Sequence, residues 1–156
     1  EIKFKTITVT NGEQSFELKV KIPLKKEMEQ IINDVSNPSK ERVDILYDKF
    51  SAGIKKSIDD GGEKFLEAIN AEKQVITVLD DDIVFDGTSI RQLANFTAMK
   101  ELKTEKYFAL LKSDISEPVN ESYEKITDEF PESLINSIME EIEKAIKPNY
   151  DDVKKN

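Results

Sequence analysis

Apolar and polar residues alternate strictly at one place in the chain: Phe16, Leu18, Val20 and Ile22 against Glu17, Lys19 and Lys21. That period of two is the mark of a half-buried strand. Asn11-Gly12 lies between this run and Ile2–Thr10. Asn-Gly favours the positive φ angles of a tight hairpin turn, so residues 1–22 are expected to form a β-hairpin. Within the first strand, Ile2 and Phe4 share one parity and Ile7 and Val9 the other. The switch near Thr6 predicts a bulge, or burial on both faces. A lone hairpin is marginal in water, so it must pack on other elements.

Beyond Pro23 the period changes to that of a helix. Leu24, Met28, Ile31, Ile32 and Val35 predict a first helix, broken by Ser36-Asn37-Pro38. Val43, Leu46, Tyr47, Phe50, Ile54 and Ile58 form one stripe spanning roughly 120° of a second helix, residues 38–59. Gly61-Gly62 is expected to end it, with a short helical stretch at 63–71. Val75–Leu79 reads equally as a strand or as a buried helical turn. Ile83-Val84-Phe85, bracketed by Asp80-Asp81-Asp82 and Asp86-Gly87, reads as a loop or short hairpin. Ser89-Ile90-Arg91-Gln92 has the form of a capping box. The helix it opens either runs on to Leu111 or pauses near Thr104. Residues 113–118 read as a linker. Val119, Tyr123, Ile126 and Phe130 mark a short helix, and Pro131 opens the last one, which Lys147-Pro148 stops.

The expected fold class is α+β and mostly α-helical, with an N-terminal β-hairpin packed on a helical domain. Residues 1–147 are expected to form a single domain, with hairpin 1–22 and helical part 23–147. Residues 148–156 are expected to be a disordered tail. Apolar residues make up 38% of the 156, which we read as enough for one small core and not for two.

The terminal helix carries the broadest apolar stripe: Leu134, Ile135, Ile138, Met139, Ile142, Ala145 and Ile146. As core it docks on the other helices. As a partner or dimer surface it binds an amphipathic helix. A helix on a small core is expected to bury one edge more deeply, placing Leu134, Ile138 and Ala145 inward. The other edge, Ile135, Met139, Ile142 and Ile146, is the candidate partner-binding site. Self-association into a homo-oligomer through helical apolar faces is expected.

Charge narrows the function. The chain holds 23 basic and 32 acidic residues, for a net charge of −9. Residues 113–156 hold twelve acids and five bases, −7 of that total. Such a field repels phosphate backbones and anionic membrane surfaces, so neither nucleic acid nor membrane is an expected partner. With no Cys and no His, thiolate catalysis, Ser-His-Asp triads and Cys- or His-ligated metals are excluded. No glycine-rich phosphate loop is present. The Asp80–Asp82 run with Asp86-Gly87 departs from a calcium loop, because Val84 falls on a ligand position and the glycine is misplaced. It reads as an exposed acidic turn. No enzymatic activity, metal or cofactor is expected. No basic-then-apolar leader follows Glu1, and the cytoplasm is the expected compartment.

The order of features resembles a known family. A hairpin, Ile2–Ile22, precedes several helices. Then come Arg91-Gln92-Leu93-Ala94-Asn95-Phe96-Thr97-Ala98-Met99 and Tyr107-Phe108-Ala109-Leu110-Leu111, and a Pro-initiated terminal helix runs from Phe130-Pro131 to Ile146. This pattern resembles the tail assembly chaperones of long-tailed bacteriophages. The resemblance implies a non-enzymatic protein that coats the tape measure protein, keeps it soluble and helps recruit tail tube subunits. It implies action in the host cytoplasm and absence from the mature virion. Two other readings fit an acidic, non-catalytic chain: a bacterial secretion chaperone, and an acidic inhibitor that mimics DNA.

Overall fold

The hairpin forms as β1 (Lys3–Asn11) and β2 (Gln14–Ile22). The computed structural model describes residues 3–112 and 120–147. The two strands pair antiparallel in one unbroken register, from Lys3 opposite Ile22 to Asn11 opposite Gln14. No bulge interrupts it. Phe4 therefore points to the face opposite Ile7 and Val9, where it stays 40% exposed beneath the Lys112 ammonium, 4.3 Å from its ring centre. The parity switch in the sequence thus marks one aromatic on the solvent face. The turn also differs from expectation. Its central residues are Gly12 and Glu13, and only Gly12 has positive φ, at 65°. This is the glycine-first pattern of a type II′ turn, shifted one residue from the expected Asn11-Gly12 centre.

Among the described residues five helices follow: α1 (Lys25–Ser36), α2 (Lys40–Ile69), α3 (Ile90–Phe108), α4 (Tyr123–Glu129) and α5 (Glu132–Ile146). Three short strands, β3 (Ile76–Val78), β4 (Ile83–Phe85) and β5 (Thr88–Ser89), lie between α2 and α3, and β6 (Leu111–Lys112) follows α3. The fold is α+β and mostly helical. The strands make two separate antiparallel sheets, ordered β1-β2-β6 and β3-β4-β5.

The chain divides into two compact units, one of Glu1–Asp34 with Glu101–Asn156 and one of Val35–Lys100. Each has its own hydrophobic cluster, which corrects the expectation of a single core. In the first, α5 packs on the β1-β2 hairpin, and Val9, Val20, Phe108, Ile126, Ile138 and Ile142 are almost fully buried. Met28 and Ile31 of α1 pack against this cluster, while Leu24 and Ile32 stay more than half exposed. In the second, Val43, Leu46 and Tyr47 of α2 meet Ile76, Ile83, Ile90, Ala94 and Ala98. The ambiguous residues 75–79 supply strand β3, and Ile76 takes its place in this unit's core. The expected linker at 113–118, Val119 and the expected tail at 148–156 lie outside the described residues.

Local chemistry explains the boundaries in the second unit. Ser39 caps α2 by accepting from Arg42 N–H. At Gly62 the helix is broken by φ 59° and ψ −150°, a conformation essentially restricted to glycine. Asn70 then ties the helix end to β3. Its Oδ1 accepts from Val75 N–H at 2.8 Å and Ile76 N–H at 2.9 Å, and its Nδ2 donates to Ile76 C=O at 2.9 Å. Asp86-Gly87, with φ of 47° and 83°, makes the two-residue β4–β5 turn. Both angles are positive, as a type I′ turn requires. Ser89 Oγ accepts from Gln92 N–H at 3.0 Å, so the capping serine opens α3 as expected. That helix continues without a pause to Phe108.

Candidate functional site

The α5 stripe lies in the core along both of its edges. Leu134, Ile138 and Ala145 are buried, as expected for the inward edge. Ile135 and Ile142, expected outward, are 7% and 0% exposed. Met139 and Ile146 are partly buried against the same cluster. The correction has a physical cause. The β1-β2 hairpin meets one side of the helix and α4 another, so an arc wide enough for two surfaces is consumed by one core. In this conformation Ile135 and Ile142 have no surface to offer a partner.

The most elaborate arrangement of polar side chains lies in the second unit, where a groove of about 610 Å³ runs beside α2, the β3–β4 turn and the start of α3. Arg91 organises it. Its Nε donates to the Asp81 carbonyl at 2.7 Å, and its Nη1 donates to Asp44 Oδ1 at 2.8 Å. The guanidinium lies over the Tyr47 ring, 4.2 Å from the centroid, and Lys55 lies 4.8 Å from the same centroid. Lys40 pairs with the second Asp44 oxygen at 2.6 Å. Hydrogen bonds from Lys40 and Arg91 hold the Asp44 carboxyl below its usual range. Tyr47 is pushed up, first by burial and then by the Asp82 charge.

Asp82 is structural. Its Oδ1 accepts from Ile83 N–H at 2.8 Å and Arg91 N–H at 2.9 Å, and its Oδ2 accepts from the Ser89 hydroxyl. Burial raises its pKa. The Ser89 bond, the two amides and the Arg91 charge outweigh that and hold it below the ordinary aspartate value. A carboxylate at a helix N-terminus also gains from the helix dipole. Asp82 is therefore consumed in the start of α3. Among the described residues, no cluster of acidic side chains is placed to hold a metal ion.

The groove that remains is acidic and partly apolar. Asp44, Asp48, Asp59, Asp80, Asp81 and Asp82 line it, against Lys40, Lys55 and Arg91. The side chains of Asp48, Asp59, Asp80 and Asp81 make no ion pair among the described residues, and six aspartates against three cations leave the lining with a net charge of −3. Val78 and Leu79, 53% and 50% exposed, form an apolar lip. On α3, Leu93 and Phe96 are also exposed, at 45% and 56%. Such a surface suits a segment that carries both lysines or arginines and apolar side chains.

Of the residues named from sequence, the structure brings Asp80–Asp82 and Arg91 together here. It adds Asp44, Tyr47 and Lys55, none of which carries a functional signal in the sequence. Their i, i+3 spacing on α2 shows only that Asp44 and Tyr47 share a helix face. No family model, curated protein or solved structure matches the chain. No helix among the described residues is long and apolar enough to cross a membrane.

Proposed function

We propose that the protein is a non-enzymatic tail assembly chaperone of a long-tailed phage. On this reading it binds the tape measure protein, keeps it soluble in the host cytoplasm and helps recruit tail tube subunits. The observation that carries the reading is the acidic groove with its apolar lip at Val78 and Leu79. A long helical client exposes apolar stripes that aggregate unless covered. A chaperone needs apolar surface to cover them and excess like charge to keep the complex dispersed. The chain carries both, with a net charge of −9. The order of hairpin, helices and Pro-initiated last helix gives the resemblance to this family. The test is co-expression with the tape measure protein encoded just downstream. The client is expected to become soluble and co-purify with this chain. A client that stays insoluble, or a gene neighbourhood without a tape measure gene, contradicts the proposal.

A further inference from the structure

Strand β1 is the outer strand of its sheet, with β2 on one side and no strand on the other among the described residues. The ladder decides which of its backbone groups are left over. On the far side of β2, Lys21 N–H donates to the Leu110 carbonyl at 2.8 Å. Lys21 stands opposite Phe4, so Phe4 belongs to the set of β1 residues that make no bonds to β2. Alternation along an antiparallel ladder puts Thr6, Thr8 and Thr10 in the same set. All four are exposed. Each directs an N–H and a C=O away from the sheet. The strand is nine residues long and has neither a proline nor a bulge; of the usual edge defences it carries lysines alone, at positions 3 and 5.

We propose that this edge pairs with the same edge of a second copy of the chain. The two β1 strands run antiparallel about a two-fold axis beside Ile7, and two three-stranded sheets become one of six. In that register Thr6 stands opposite Thr8 of the second copy, and Phe4 opposite Thr10. Every outward-facing N–H and C=O of those four positions gains a partner on both strands. The charges select this arrangement. Lys3 and Lys5 are the only charged residues of β1 and sit at one end of it. A parallel in-register pairing sets each lysine against its own copy, which is unfavourable. The antiparallel register sets Lys5 against Val9 and Lys3 against Asn11, with the two lysine pairs at opposite ends. An antiparallel strand pair is also self-complementary, as a two-fold interface must be. The proposal is independent of the chaperone reading.

Sedimentation velocity on the full chain across the micromolar range tests it, together with amide hydrogen exchange. The expected result is a monomer–dimer equilibrium in which protection of the Thr6 and Thr8 amides rises with protein concentration. Thr8→Pro removes an outward N–H without touching the β1–β2 ladder, and is expected to give a monomer at all concentrations. Should that variant fold poorly, T6K/T8K decides instead. It keeps every N–H but places lysines against lysines across the axis, and is expected to be monomeric with an unchanged circular dichroism spectrum. A wild-type chain that stays monomeric overturns the proposal. So does a dimer that survives in a folded variant, or exchange at Thr6 and Thr8 that ignores concentration. A wild-type monomer whose Thr6 and Thr8 amides become protected only on adding the tape measure protein also overturns it, because the edge then serves a foreign strand.

Discussion

The guanidinium of Arg91 lies 4.2 Å from the centre of the Tyr47 ring while its Nη1 holds Asp44 at 2.8 Å. One side chain at the start of α3 thus fixes two residues of α2 and, through the Asp81 carbonyl, the β3–β4 turn. Arg91→Ala is expected to destabilise the Val35–Lys100 unit by about 1–2 kcal/mol, for the loss of a cation–π contact and two charge-assisted hydrogen bonds. Partial exposure of both Arg91 and Asp44 keeps the figure at that level. Arg91→Lys is expected to recover less than half of it, because a point charge cannot stack and fork together. Urea unfolding of the two variants checks the order.

Glycines 53 and 62 sit on the same helix and are expected to respond in opposite ways. Gly62→Ala forces a side chain into φ 59°, ψ −150°, at a cost of about 1–3 kcal/mol. At Gly53 an added Cβ meets open space inside a regular helical stretch. Gly53→Ala is expected to stabilise by about 0.5–1 kcal/mol. Thermal melts of the pair measure both signs.

Asp82 links the second unit to pH. Its folded pKa lies below the unfolded value of about 3.9, so its contribution is complete above that value. The contribution is lost as pH falls from there through the depressed folded pKa. Protonation removes a carboxylate that accepts from the Ile83 and Arg91 amides and from Ser89. Asp82→Asn is expected to lower stability at neutral pH and to flatten the acid limb of the stability curve. Denaturant midpoints from pH 6 downward, for both proteins, test this; parallel curves contradict it.

How far the sequence went is seen in these same residues. The alternation in β2, the α2 stripe from Val43 to Ile58 and the cap at Ser89 were legible because each depends on neighbours within one strand or one stretch of helix. The α5 stripe was legible as an apolar face. Its division into two edges was not, because that depends on a hairpin more than a hundred residues away in the chain. The Arg91–Asp44 contact spans 47 residues and leaves no periodic trace. Asp82 looked like part of an acidic turn. Only the return of Ser89 and the Arg91 amide to its side chain reveals it as a cap.

Ser51 is a further case in which composition hid a cost. Its hydroxyl is fully buried on α2 and has no hydrogen-bond partner among the described residues. A buried, unsatisfied hydroxyl is unfavourable, and alanine is the better helix former. Ser51→Ala is expected to stabilise by about 0.5–1.5 kcal/mol, read as a higher denaturation midpoint. A destabilisation shows that the hydroxyl is bonded.

The acidic groove beside Arg91 is the surface we propose for the client. Calorimetric titration of short soluble peptides cut from the tape measure sequence, chosen to carry both basic and apolar side chains, into this chain measures that directly. Reversing two of the groove's acidic charges, in Asp48→Lys with Asp80→Lys, leaves the Arg91 contacts and the Asp82 cap in place. The expected result is wild-type binding that weakens as salt rises, and loss of binding in the folded double variant. Equal affinity of variant and wild type, or affinity indifferent to salt, contradicts the assignment.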